Sequence, residues 1–80
     1  MATREIDVSD LEPPEPLEQS LAALEKMAPE DILIIHHRRE PCLLYPVLEK
    51  NGLKHRSEEI TNGHIQVTIY GPHVAMNTDD

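Results

Sequence analysis

Four aliphatic residues, Ile32, Leu33, Ile34 and Ile35, stand together without a polar interruption, between Asp31 and His36. A strand covered on both faces produces such a run, and its β-branched residues favour strand over helix. Elsewhere the periods are cleaner. In residues 5–10, "EIDVSD", Ile6 and Val8 alternate with polar positions, which predicts a short half-buried strand preceded by a tail at residues 1–4. Leu17, Leu21, Leu24 and Ala28 recur at helical spacing with Glu18, Glu25 and Lys26 on the outer side, so a helix is expected over 17–27, stopped by Pro29.

A second helix is expected at about 44–51, with Leu44, Val47 and Leu48 inward. Pro46 lacks an N–H and belongs in its first turn. Gly52 suits the left-handed position after the helix, where Leu53 can fold back on Leu48. Asn62-Gly63 then marks a hairpin between "LKHRSEEI" and "HIQVTIY", the last strand turning Ile65, Val67 and Ile69 inward and Gln66, Thr68 and Tyr70 outward. Residues 72–80 read as a flexible polar tail.

The predicted order is β-α-β-α-β-β over residues 5–71. Right-handed crossovers put both helices on the same side of the sheet. The fold class is therefore α+β: a two-layer α/β sandwich with a mixed four-stranded sheet and two helices on one face. One sheet face stays open, yet residues 32–35 offer aliphatic side chains to both faces. The expectation is that a protein partner or a second copy of the chain covers it.

Composition narrows this picture. With 80 residues there is room for one domain, and with no Phe or Trp and only two Tyr the core must be aliphatic. The single cysteine excludes an internal disulfide and fits a reducing compartment. No apolar run exceeds four residues and the N-terminus lacks a signal-like pattern, so a soluble, cytoplasmic protein is expected, with no membrane partner. Fifteen acids against seven bases give a net charge of −8, which repels phosphate backbones and argues against nucleic acid. Five histidines are many for this length; protonating all of them would move the charge from −8 to −3.

Chemistry concentrates at two places that the topology makes equivalent. Glu12, Pro13, Pro14, Glu15 and Pro16 lead into the first helix, and His37, Arg38, Arg39, Glu40 and Pro41 lead into the second. Each segment follows a strand, where the open ends of α/β sheets bind ligands and helix N-termini favour negative charge. These residues are the candidate binding site, for a small anionic ligand or a partner, with His36 and His37 at its edge. The plainer reading is two helix starts, with Glu12, Glu15 and Glu40 answering the helix ends and pairing with Arg38 and Arg39.

Cys42, beside Leu43 and Leu44, reads first as a packing residue and alternatively as a thiol activated by the helix end and the arginines. A weaker alternative is a metal site from His36, His55 and His64, the last two placed on one face of the hairpin. His36 and His37, being adjacent in a strand, point to opposite faces. No Ser-His-Asp set, glycine-rich phosphate loop or paired-carboxylate arrangement is present, so no catalysis and no cofactor are expected.

Over residues 5–70, and most specifically at "LEPPEP" and "REPCLLYPVL", the chain resembles an uncharacterised family related to the TusA/SirA-like domains. The resemblance implies the same two-layer sandwich and a partner associated with redox or sulfur metabolism. TusA-like sulfur carriers hold Cys-Pro-x-Pro at the first helix start. Here Pro14 and Pro16 match, but the nucleophile position is Pro13, so sulfur transfer through that position is excluded. What is expected is a small non-enzymatic binding or adaptor domain, with sulfur transfer or thiol redox through Cys42 as one alternative and a histidine metal module as another.

Overall fold

In the computed structural model, which describes residues 3–72 and 74, six elements follow the order β-α-β-α-β-β. They are β1 (Thr3–Asp7), α1 (Glu15–Glu25), β2 (Ile32–His37), α2 (Tyr45–Lys50), β3 (Lys54–Thr61) and β4 (His64–Tyr70). The sheet order is β1-β2-β4-β3. β1 and β2 are parallel, and β4 runs antiparallel to both β2 and β3. The α+β class and the mixed four-stranded sheet are as the hydrophobic pattern predicts.

Register divides the strand residues between two faces. Leu33 and Ile35 pair with Ile69 and Val67, and all four are fully buried beneath the helices with Leu44 and Leu48. Val8 completes this core, which is wholly aliphatic. Burial of each such side chain is worth about 1.5–3 kcal/mol. Ile32 and Ile34 lie on the other face opposite Tyr70 and Thr68, and are half-buried by their strand neighbours.

Several boundaries differ from the expected ones, each for a local reason. β1 starts at Thr3, inside the expected tail, because Thr3 pairs with Ile32 and Arg4 reaches Asp31 at 3.7 Å. It stops at Asp7, whose Oδ1 accepts both the backbone N–H and the hydroxyl of Ser9. This side-chain turn bends the chain away from the sheet. α1 begins at Glu15 rather than Leu17, with Pro14 as its cap residue and Pro16 in its first turn. It ends at Glu25, where Lys26 and Met27 donate three residues back to Ala23 and Leu24, and Asp31 Oδ2 then accepts the Ala28 N–H at 3.0 Å. The fully buried positions of α1 are Pro16 and Ser20, while Leu17, Leu21 and Leu24 are half-buried beside them. The Ser20 hydroxyl donates to the Pro16 carbonyl at 2.8 Å, so the buried polar atom is satisfied within the helix.

α2 closes as its sequence predicts. Gly52 has φ +71°, its N–H donates to the Glu49 carbonyl, and Leu53 N–H donates to the Leu48 carbonyl at 2.9 Å. This is the paired bonding of a Schellman cap. In the hairpin Thr61 faces His64 across Asn62-Gly63, and a register shift between Glu59 and Thr61 leaves Ile60 on the surface. The expected C-terminal tail lies mostly outside the described residues. Among the described residues no helix is long and apolar enough to cross a membrane.

Candidate binding cleft

The parallel pairing of β1 and β2 brings the two helix starts side by side, with a cleft of about 360 Å³ between them. Val8, Leu44, Pro16 and Ser20 are its buried floor, and Leu11, Leu17, Pro13 and Pro14 line one side. His37, Arg38, Arg39, Glu40, Pro41, Cys42 and Leu43 line the other. Of the residues singled out in the sequence, Glu12 and Glu15 do not line the cleft; both are exposed outside it. Leu11 and Leu43 had no chemical signature in the sequence, yet they supply much of the wall, and Leu43 is 76% exposed.

The polar character of the cleft comes from side chains more than from helix ends. At the start of α1, Pro13, Pro14 and Pro16 carry no N–H, and the Glu15 N–H is already bonded to the Glu12 carbonyl at 2.9 Å. Ahead of α2, Cys42 N–H donates to the Glu40 carbonyl and Leu44 N–H to the Pro41 carbonyl. The free donors that ordinarily draw anions to a helix start are largely absent or consumed here. Arg38 and Arg39 do not pair with Glu12, Glu15 or Glu40; among the described residues the ion pairs are Arg4–Asp31 and His36–Glu5. Among the described residues, two guanidinium groups therefore stand without a carboxylate partner at the rim of a mostly apolar cleft.

Glu40 is held elsewhere. Its Oε1 accepts the Tyr45 hydroxyl and its Oε2 the Ser57 hydroxyl at 3.1 Å, which ties the loop before α2 to β3. Burial of the Tyr45 phenol, together with its bond to Glu40, pushes its pKa up to about 12. His37 Nδ1 accepts the backbone N–H groups of Arg38 and Arg39 at 3.0 and 3.3 Å. Partial burial first, and then the charges of Arg39 and Arg38, lower its pKa and favour the neutral ring, in which the accepting Nδ1 leaves the proton on Nε2.

Cys42 is exposed, not packed as its neighbours suggest, because the turn that precedes α2 points Leu44 inward and leaves residues 42 and 43 outside. It lines the same cleft as Pro13. The three histidines considered as metal ligands do not meet. His55 pairs with Ile69 on the helix side of the sheet and stacks on Tyr45, whereas His36 and His64 contact each other on the open face. Strand alternation puts odd and even positions of the hairpin on opposite faces, which separates His55 from His64. Among the described residues no group of three or more His, Cys, Asp or Glu side chains is placed to hold a metal ion.

Neither a curated protein nor a solved structure matches the chain. A family described as "Uncharacterized conserved protein (DUF2249)" matches over residues 5–70, from β1 to the end of β4. The match spans both helix starts and the whole sheet apart from its first two residues, and the chain belongs to this DUF2249 family.

Proposed function

We propose that this domain is a binding module without catalysis of its own, whose ligand or partner seats an apolar group in the cleft and presents an anionic group to Arg38 and Arg39. The observation that carries this reading is the pair of guanidinium groups, without a carboxylate partner among the described residues, on the rim of a cleft whose floor is Val8, Pro16, Ser20 and Leu44. An apolar body gains from burial there, and a carboxylate or similar group gains from the arginine fork. A small apolar carboxylate and the acidic end of a partner protein share this chemistry. Relatedness to the TusA/SirA-like domains is part of the proposal and supports a partner from redox or sulfur metabolism. Partner contact through Ile32 and Ile34 on the open sheet face is a further part, and a strict monomer in sedimentation at high concentration would remove self-association there.

A screen of apolar carboxylates followed by backbone amide shifts tests the main reading. Shifts in residues 11–17 together with 37–44 support it. Shifts confined to the open face of the sheet, or none with any member of the panel, count against it.

The exposure of Cys42 within the same cleft favours a second reading, a thiol that reacts with the bound partner. Alkylation at neutral pH separates the two. A rate above that of a free model thiol supports the thiol role, and an ordinary rate leaves Cys42 as wall.

A further inference from the structure

The open face of the sheet carries a group that the cleft does not use. His36 Nδ1 lies 2.9 Å from His64 Nε2, and the other nitrogen of His36 is bonded to Glu5 Oε2. The three residues come from β1, β2 and β4, and β2, which carries His36, is the strand between the other two. A carboxylate on Nε2 fixes the tautomer of His36: the proton sits on Nε2 and the lone pair on Nδ1 faces His64. A carboxylate that takes the second N–H of an imidazole in this way is the usual support of a metal-binding histidine.

We propose that His36 Nδ1 and His64 Nε2 form a two-imidazole chelate for a divalent transition ion of the Cu²⁺ or Ni²⁺ class, with Glu5 as the positioning residue behind His36. Two metal–nitrogen bonds of about 2.05 Å set at a right angle leave their nitrogens roughly 2.9 Å apart, against about 3.4 Å for a tetrahedral ion. The 2.9 Å is the length of the hydrogen bond between the rings, and a right-angled pair keeps that separation once each ring turns its lone pair off the N–N line towards the ion. Right-angled nitrogen pairs belong to the square and tetragonal sites of Cu²⁺ and Ni²⁺. Without metal, His64 donates its Nε2 proton to His36; metal binding moves that proton to Nδ1 of the same ring, a tautomer change that alters no charge. Asp7 lies close enough to both rings to interact with them electrostatically, and its negative charge favours a cation. Arg38 borders the same surface depression and is its one opposing charge, while Asp10 there offsets it. The remaining metal positions face solvent, so the site takes an ion with exchangeable ligands rather than a closed structural one.

The test uses the untagged full chain titrated with Cu²⁺ or Ni²⁺ while backbone amide lines are followed. Saturation at one ion per chain is expected, with paramagnetic broadening centred on residues 5, 7, 36 and 64. His36→Ala and His64→Ala each abolish that binding, His55→Ala leaves it intact, and Glu5→Gln weakens it about tenfold or more. Broadening centred on His37, His55 or His73, or binding by both His36→Ala and His64→Ala with wild-type affinity, overturns the proposal. The broadening pattern needs no variant, so misfolding of a substituted chain does not blunt the test.

Discussion

The ring of Tyr45 lies flat against that of His55, with centroids 4.1 Å apart and planes 11° from parallel. One residue starts α2 and the other lies near the start of β3, so the stack fastens the second helix to the edge of the sheet. The same phenol donates to Glu40, and Glu40 also receives Ser57. The wall of the cleft thus stands on a small polar and aromatic support at its back.

That support titrates. Tyr45 has an ordinary pKa of 10.0 in the unfolded chain and about 12 in the fold, so the folded state keeps the proton that the unfolded state releases. Its contribution is complete below pH 10.0 and is lost as the pH rises towards about 12. In a Tyr70→Phe variant, phenolate absorbance should rise near the upper of these values. Tyr45→Phe should cost about 1 kcal/mol at neutral pH through the lost bond to Glu40, measured by urea unfolding. An ordinary tyrosine titration curve in Tyr70→Phe would show that the support does not form.

His37 carries the opposite sign. Its folded pKa is below the ordinary 6.5, so below that pH the unfolded chain binds the proton more readily. The residue has no cost well above pH 6.5, and its cost grows as the pH falls through 6.5 towards the folded value. Unfolding midpoints of wild type and His37→Gln should therefore diverge on acidification, with the wild type losing more. Parallel curves from pH 8 to about pH 5 would contradict a partly desolvated ring.

Gly71 follows β4 and lies under the loop that leads into β2. A methyl group on it would come within 2.7 Å of the Pro29 carbonyl oxygen, a backbone atom that cannot swing aside. Gly71→Ala should destabilise the fold by about 1–3 kcal/mol, whereas Gly63→Asn, in the open hairpin turn, should cost less than about 1 kcal/mol. Thermal or urea denaturation of the two variants decides it, and equal stabilities would show that the loop yields.

For an anionic ligand found by screening, Arg38→Ala and Arg39→Ala should each weaken binding about tenfold, and affinity should fall as salt is raised. Glu15→Gln, outside the cleft, should leave it within about twofold. Calorimetric titration at two salt concentrations checks both. Loss of affinity in Glu15→Gln comparable to that in Arg38→Ala would place the ligand elsewhere.

The arrangement of the cleft was partly visible in the sequence. Pro16 and Pro46 marked both starts, because proline belongs in a first helical turn whatever surrounds it, whereas Glu40-Pro41 lies in the turn ahead of α2 and not in its first turn. Which side chains point inward was not visible. Glu12 and Glu15 have the chemistry of a site and lie outside it, while Leu11 and Leu43 look like core and form its wall. Cys42 has apolar neighbours and is exposed, because burial follows the direction of one turn rather than the average character of a segment.

The chain by itself determined the element order, the aliphatic core, the cap at Gly52 and the turn at Asn62-Gly63. These rest on local periodicity and on backbone preferences that act over a few residues. Only the tertiary structure decided the sheet order β1-β2-β4-β3, and with it which distant residues became neighbours. Insertion of β4 beside β2 joined His64 to His36 and left His55 on the far side of the sheet with Tyr45. Pairing of β1 with β2 set the two helix starts against each other. Such contacts depend on strand order and on a single-residue register, in which a shift of one position turns every side chain to the other face.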